Sequence, residues 1–244
     1  MHEFESFVYL DTEKTGSTFI SQLLNDFSSE RSLVQKHHRP MGADFDPKKF
    51  YFISVRDPLD AYLSLYSFGC QRMGKVYAHF RRQGHGEFYD RTEEGFNEWL
   101  HFMLKPKNAG PLGDRYQDAA DGRIAELLGF QSYRYLRLAI PDAEAKLADC
   151  TTEEDIRTVF KANKLPRFSV RHESFVEDLC RLLSGPLAHA VKDLDAALDF
   201  VRTAKPLNTS KRVDKESDDK FRIKTRLRAR LEEREWLMAE VFGY

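Results

Sequence analysis

Short apolar runs alternate with helical periodicity over the first third of the chain. Residues 7–10, 33–35 and 50–55 form three such runs, and their lengths are typical of buried strands. After the first run, apolar side chains recur at positions 19, 20, 23, 24 and 27, which is the spacing of one helix face. A second helix is predicted directly after residue 55. This strand–helix–strand–strand–helix order predicts an α/β fold with a central, mainly parallel sheet.

The second helix has a clear start in the sequence. Asp57 stands at the N-cap, Pro58 at the first helical position and Asp60 in the first turn. Residues 71–166 are more helical and less regular. Beyond them the pattern predicts a strand over residues 168–172 and helices over 175–183, 193–203 and 215–242. Since no Gly/Ser/Pro-rich linker interrupts the chain, we predict one domain over residues 1–244 with a helical and loop insert at about 71–166.

Composition excludes several classes of protein. With 41% hydrophobic and 32% charged residues, the chain has the composition of a folded globular protein rather than a disordered one. The sequence has no run of about 18 apolar residues and no secretory pattern, so we expect no membrane span and a cytoplasmic location, unless an anchor was trimmed away. Cys70, Cys150 and Cys180 lie far apart and predict free thiols rather than disulfides or a zinc site. A net charge of −1 argues against a nucleic-acid partner, so any anion site must be local.

The segment at residues 14–18 (Lys-Thr-Gly-Ser-Thr) joins the first strand to the first helix. Backbone amides at such a helix start favour an anion, Gly16 permits its close approach, and Lys14 adds a full positive charge. An ATP-binding P-loop reads GxxxxGK[ST], whereas here the first glycine is missing and the lysine precedes Gly16. The segment therefore predicts an anion site of another kind, with an ordinary capped helix as the alternative.

Two motifs in order resemble those of the sulfotransferases. Residues 14–18 are similar to that family's 5′-phosphosulfate loop, and Arg56 with Ser64 eight positions later resembles its 3′-phosphate motif. The similarity covers residues 7–68 and 168–180, with a weaker match near 208–212. It implies a three-layer, P-loop NTPase-like sulfotransferase fold, 3′-phosphoadenosine 5′-phosphosulfate (PAPS) as co-substrate, its desulfated product PAP, and no metal.

The resemblance also implies site residues. Lys14 and His38 would be catalytic. The nucleotide would be bound by Lys14, Thr15, Gly16, Ser17, Thr18, Arg56, Ser64, Lys211 and Arg212.

The choice of base rests on residues 36–40. Many cytosolic sulfotransferases carry Lys-x-His-x-Pro there, and Lys36, His38 and Pro40 match that spacing. An imidazole with an ordinary pKa near 6.5 can accept a proton near neutral pH. His37 is the second candidate, and a carboxylate such as Glu13 or Glu87 is a further one.

The acceptor is the least specified part of the prediction. We expect a small-molecule or glycan acceptor, and the oligomeric state stays open. The insert contains four aromatic residues that either line an acceptor pocket or pack in the core, namely Phe88, Tyr89, Phe96 and Trp99. Two other functions remain as alternatives: a kinase with an unusual phosphate loop, which needs Asp11 or Asp57 to hold Mg²⁺, and a nucleotide-binding scaffold without catalysis.

Overall fold

The computed structural model describes residues 1–119, 121–204 and 221–244. The strands are β1 His2–Glu3, β2 Phe7–Leu10, β3 Val34–Gln35, β4 Phe50–Val55 and β5 Phe168–Arg171. The α-helices of the described part are α1 Ser17–Phe27, α2 Pro58–Cys70, α3 Lys75–Arg82, α4 Glu93–Met103, α5 Arg123–Leu127, α6 Phe130–Ala139, α7 Ala143–Leu147, α8 Glu153–Asn163, α9 Phe175–Ser184, α10 Leu194–Thr203, α11 Thr225–Arg234 and α12 Trp236–Phe242.

The five strands form one sheet in the order β3–β1–β2–β4–β5. β4 pairs in parallel with both β2 and β5, whereas β1 runs antiparallel to its neighbours β2 and β3. The α/β class is therefore confirmed, but the sheet is mixed rather than mainly parallel. The cause is the two-residue strand β1, which is too short to show a periodicity and which separates β2 from β3.

The described residues group into two compact units. The first, the sheet unit, comprises Met1–Arg56, Tyr135–Ala143 and residues 160–204. The second, the helical unit, comprises Asp57–Arg134, Glu144–Val159 and residues 221–244. The single-domain organisation stays a prediction.

The core of the sheet unit lies between β2, β4 and the helices α1 and α9. Every side chain of β2 is buried, and the Tyr9 and Phe52 rings stack with centroids 4.9 Å apart. The predicted apolar face of α1 is buried at Ile20 and Leu23, against Leu179 of α9 in the same core. At about 25 cal/mol per Å² of apolar surface, each such side chain contributes about 2 kcal/mol on burial. This packing fixes the position of the β2–α1 loop.

The helical unit has an aromatic core. Trp99 and Phe96 of α4 are almost fully buried, and Phe88 and Tyr89 pack half-buried nearby. The start of α2 is as predicted, since Asp57 Oδ1 accepts the amide of Asp60 at 3.0 Å and Pro58 follows the cap.

The predicted helix over residues 215–242 needs correction. Residues 221–224 are not helical, α11 begins at Thr225, and Glu235 separates α11 from α12. At the break the main-chain carbonyl of Arg234 accepts the amide of Gly129, and the amide of Met238, its regular helical partner, bonds to the carbonyl of Glu235 instead. Among the described residues no helix combines the length and the apolar character needed to cross a membrane.

Candidate active site

The carboxyl ends of three neighbouring parallel strands define one edge of the sheet. β2 ends at Leu10, β4 at Val55 and β5 at Arg171, and Val55 pairs with Arg171. The loop after β2 and the residue after β4, Arg56, therefore leave the sheet at the same edge. Open α/β sheets place their ligands at this edge.

The β2–α1 loop reaches the helix start in an unusual backbone conformation. Lys14 has φ 68° and Gly16, the N-cap of α1, has φ 87°, both in the left-handed region. A Cβ at Gly16 would lie 2.8 Å from Cε2 of Phe175, so the ring after β5 also requires glycine here. No side chain of the described residues caps α1, and its first turn carries no acid. The amides of Ser17 and Thr18 thus lie at the positive end of a helix, an end that favours an anion.

Thr15 fastens this loop to the sheet. Its buried hydroxyl donates to the carbonyl of Thr12 at 2.7 Å and lies 2.5 Å from the Ser54 hydroxyl, which is 2.6 Å from that of Tyr9. Because the Thr15 proton goes to a carbonyl, the Ser54 hydroxyl donates to Thr15 and the Tyr9 hydroxyl donates to Ser54. The Thr15 side chain therefore faces the core, and only its backbone can serve an anion.

Two positive side chains meet beside the loop. Nη1 of Arg56 donates to the carbonyl of Lys14 at 3.2 Å, and the Arg56 side chain is buried. Burial, followed by the positive charge of Arg56, lowers the pKa of Lys14 from 10.5 to about 8. An anion bound here would offset both the burial of the Lys14 ammonium group and its repulsion by Arg56.

A buried carboxylate connects the loop to the two candidate histidines. Asp11, only 2% exposed, lies directly after β2. One carboxylate oxygen accepts the His38 amide at 2.9 Å and lies 2.5 Å from the amino nitrogen of Met1, and the other lies 3.0 Å from Nδ1 of His37. Asp11 therefore fixes residues 37 and 38 against the β2–α1 loop.

The hydrogen bond of the His38 ring determines its tautomer. Nδ1 lies 2.9 Å from the main-chain carbonyl of Asp11, and a carbonyl can only accept, so Nδ1 carries the proton. In the neutral ring Nε2 then has its lone pair available as a base. His38 is about one-third exposed and has φ 55°, so its backbone is held in a strained region.

Arg137 is a site residue that the sequence analysis did not find. Its Nη2 donates to the main-chain carbonyl of His38 at 3.3 Å from helix α6. Because 99 residues separate the two, no local pattern could have paired them. Asp11 had a detectable signal, a polar residue directly after a buried strand, but it was considered only as a metal ligand.

The remaining predicted site residues lie elsewhere. Ser64 is buried in α2 of the helical unit, and its pairing with Arg56 stays a prediction. Lys211 and Arg212 fall outside the described residues. Glu13 is half-buried in the phosphate loop, whereas Glu87 is exposed and lies 3.7 Å from Nδ1 of His85.

The kinase alternative needs Asp11 or Asp57 to hold Mg²⁺, and each of these carboxylates accepts hydrogen bonds from other groups of the protein. Asp11 holds the two histidines, and Asp57 caps α2. No observation at this edge of the sheet favours the kinase alternative.

Comparison with known proteins gives one match. Residues 1–127 match a family model whose description is "Sulfotransferase family". No curated protein and no solved structure matches the chain. The matched segment contains the β2–α1 loop, both histidines, Arg56 and Ser64.

Proposed function

The chain belongs to the sulfotransferase family, and from this membership we propose that it transfers a sulfuryl group from PAPS to a hydroxyl or an amine of an organic or carbohydrate acceptor. One observation carries the choice of donor: Lys14 and Arg56 meet beside an α1 start that no side chain of the described residues caps. Two cations and free helix amides form a cradle for a polyanion.

In this proposal the 5′-phosphosulfate lies on the amides of Thr15 to Thr18, with the Ser17 and Thr18 hydroxyls assisting. Arg56 and Ser64 bind the 3′-phosphate. A guanidinium binds a phosphate by two parallel, charge-assisted hydrogen bonds, and this contact would distinguish PAPS from ATP.

The transfer step requires a base and a stabilised leaving group. Nε2 of His38 takes the proton of the acceptor while the acceptor oxygen or nitrogen bonds to sulfur. The bond between sulfur and the phosphate oxygen breaks, its electron pair stays on that oxygen, and PAP is the product. Lys14 stabilises this developing charge, an effect worth several kcal/mol where it acts only in the transition state. Asp11 positions the base, because it holds both the backbone and the ring of His38.

Nucleotide binding is the first test. In calorimetric titrations without metal, we expect PAP to bind at micromolar concentrations and Mg-ATP to bind at least about tenfold more weakly, a difference of about 1.4 kcal/mol. Arg56→Ala should weaken PAP binding about 100-fold, whereas Arg31→Ala, a change at an exposed arginine, should leave it unaltered. Preference for Mg-ATP together with indifference to PAP would overturn the proposal in favour of the kinase.

The identity of the base is tested separately. Transfer from radiolabelled PAPS to a panel of phenols, amines and sugars should fall about 10²- to 10⁴-fold in His38→Gln. His37→Gln is the matched control, since that ring also bonds to Asp11, and it should lose less than about threefold. PAP affinity should be unchanged in both. The opposite ranking of the two variants would assign the base to His37, and an unaltered protein that binds PAP without turnover would be a scaffold.

A further inference from the structure

Positive charge is concentrated on one segment of the helical unit. Between residues 71 and 91 five lysines and arginines stand against two acids, a net charge of +3, whereas the whole chain carries −1. The basic residues are Arg72, Lys75, Arg81, Arg82 and Arg91, and the acids are Glu87 and Asp90. A local excess of this size attracts anions to this surface.

Three of these arginines line one cleft of about 480 Å³. Arg72 follows α2, Arg81 lies in α3 and Arg91 precedes α4, and the rings of Tyr77 and Tyr89 complete the wall. The cleft thus combines guanidinium groups with aromatic faces, which together bind a flat, negatively charged group.

No acid of the described residues forms an ion pair with the three guanidinium groups of the cleft. Within the described residues Arg72 and Arg81 form no ion pair, and Arg91 makes only a long hydrogen bond of 3.5 Å to the carbonyl of Cys70. The one acid of the cleft, Asp90, directs Oδ1 to Thr92 and to the hydroxyl of Tyr66. Burial raises the pKa of the Cys70 thiol, so it stays neutral and does not repel an anion.

Two of the three arginines have a strained backbone. Arg72 has φ 60° and Arg91 has φ 67°, in the left-handed region that glycine or asparagine adopts more readily. Arg72 follows the C-terminus of α2, where its amide bonds to the carbonyl of Gly69 at 2.8 Å, a position commonly occupied by glycine. Conformations of this kind cluster at ligand-binding sites, and both of these residues line the cleft.

The aromatic wall is held in place. A Cβ at Gly69 would overlap the Tyr89 ring, so glycine lets this ring lie across α2. The Tyr89 hydroxyl accepts Nε1–H of Trp99 at 2.9 Å, and the Tyr89 ring stacks on Tyr66 with centroids 5.7 Å apart. Tyr77 meets it edge-on at 5.2 Å. These contacts fix the Tyr89 ring in the wall of the cleft.

We propose that this cleft is a second anion site and that it binds a dianionic group attached to an aromatic ring. The arginines bind the anion, and Tyr77 and Tyr89 contact the ring. This inference does not depend on the proposed function, because it uses only residues of the helical unit.

Phenyl phosphate is the probe, titrated by calorimetry into the full chain with and without saturating PAP. We expect submillimolar binding in both conditions, at least about fivefold tighter than inorganic phosphate, because stacking on an aromatic side chain adds to the charge contact. Arg72→Gly and Arg81→Gln should each weaken binding about tenfold. Arg72→Gly should also leave the melting temperature unchanged or higher, since glycine adopts this φ without strain.

Arg115→Gly provides the matched control. Arg115 also has a positive φ, 61°, but its guanidinium pairs with Glu144 outside the cleft. This variant should bind phenyl phosphate like the unaltered protein. Affinities in Arg72→Gly and Arg81→Gln equal to that of the unaltered protein would overturn the second site, and this result does not depend on whether PAPS is the donor. Loss of phenyl phosphate binding when PAP is present would overturn it as well, once the titrations have shown that PAP binds.

Discussion

At the residue scale, Lys14 is the group whose charge state nucleotide binding would change. Its pKa of about 8 lies within the range of ordinary assays, because it is buried beside Arg56. A bound polyanion favours the protonated form of Lys14 and raises this pKa. At a pH between the pKa of Lys14 in the free protein and its pKa in the complex, binding therefore takes up a proton. We predict uptake of about 0.5 proton per PAP near pH 8 and almost none at pH 6, with affinity falling up to about tenfold per pH unit above 8.

Calorimetry in two buffers of different ionisation enthalpy measures this uptake. Lys14→Arg keeps the positive charge at every accessible pH, so the uptake should vanish. Lys36→Arg, a change at an exposed lysine, should leave it intact. Heats that are independent of the buffer at pH 8 would show that Lys14 does not titrate on binding.

The part of the candidate site formed by neighbouring residues could be predicted from the sequence, whereas the part formed by residues far apart in the chain could not. Lys14 and Gly16 stand in one short segment whose residue types alone indicate an anion site. The role of Asp11 depends on residues 37 and 38 folding back onto the loop, and Arg137 comes from a helix almost 100 residues away. Only packing brings such groups together.

At the scale of elements, helix caps also divide into local ones, which the sequence predicts, and long-range ones, which it does not. The cap of α2 is local, from Asp57 to Asp60, and the sequence predicted it correctly. Glu235 instead accepts the amides of Gln131 and Ser132 at the start of α6, at 3.2 and 2.7 Å, and the Tyr62 hydroxyl at 2.6 Å. A cap more than 100 residues away leaves no local pattern, so the break between α11 and α12 was not predicted.

This remote cap predicts a large effect on stability. Glu235→Ala leaves three buried donors without their acceptor, which should lower the free energy of unfolding by about 3 kcal/mol. Glu235→Gln keeps one acceptor oxygen and should cost about 1 kcal/mol. Urea denaturation measures both.

Glu233→Ala is the control, because Glu233 lies two residues earlier in α11 and is exposed, and it should change stability by less than about 0.5 kcal/mol. If Glu235→Ala and Glu233→Ala lower the free energy of unfolding equally, the hydrogen bonds of Glu235 are not essential to the stability of the helical unit.

At the scale of the whole molecule, the main strands were predictable and their arrangement was only partly so. β2 and β4 are apolar runs and β5 alternates apolar with polar residues, and the helices between these strands permit their parallel pairing. β1 has two residues, and nothing in its composition marks it as a strand. Because β1 runs antiparallel between β2 and β3, the sheet is mixed. The same strand also carries a buried ionisable side chain.

That side chain, His2, is 1% exposed and predicts how the sheet responds to acid. Burial, followed by a neighbouring positive charge, lowers its pKa from 6.5 to about 4. Nε2 bonds to the Ser32 hydroxyl at 2.9 Å, whereas Nδ1 is buried and has no hydrogen-bond partner among the described residues. The folded protein therefore keeps His2 neutral at a pH where the unfolded chain protonates it.

The unfolded chain binds the extra proton between pH 6.5 and about 4, so the free energy of unfolding must fall as the pH is lowered through this window. His2 should account for up to about 3 kcal/mol of the loss, at 1.36 kcal/mol per pKa unit. In urea titrations at pH 7 and pH 4.5, His2→Gln should lose correspondingly less stability than the unaltered protein. His189→Gln, at an exposed ring that also bonds a serine hydroxyl, should follow the unaltered curve. If both variants lose stability in parallel with the unaltered protein, the acid sensitivity arises from other groups, such as carboxylates that are ionised in the folded protein.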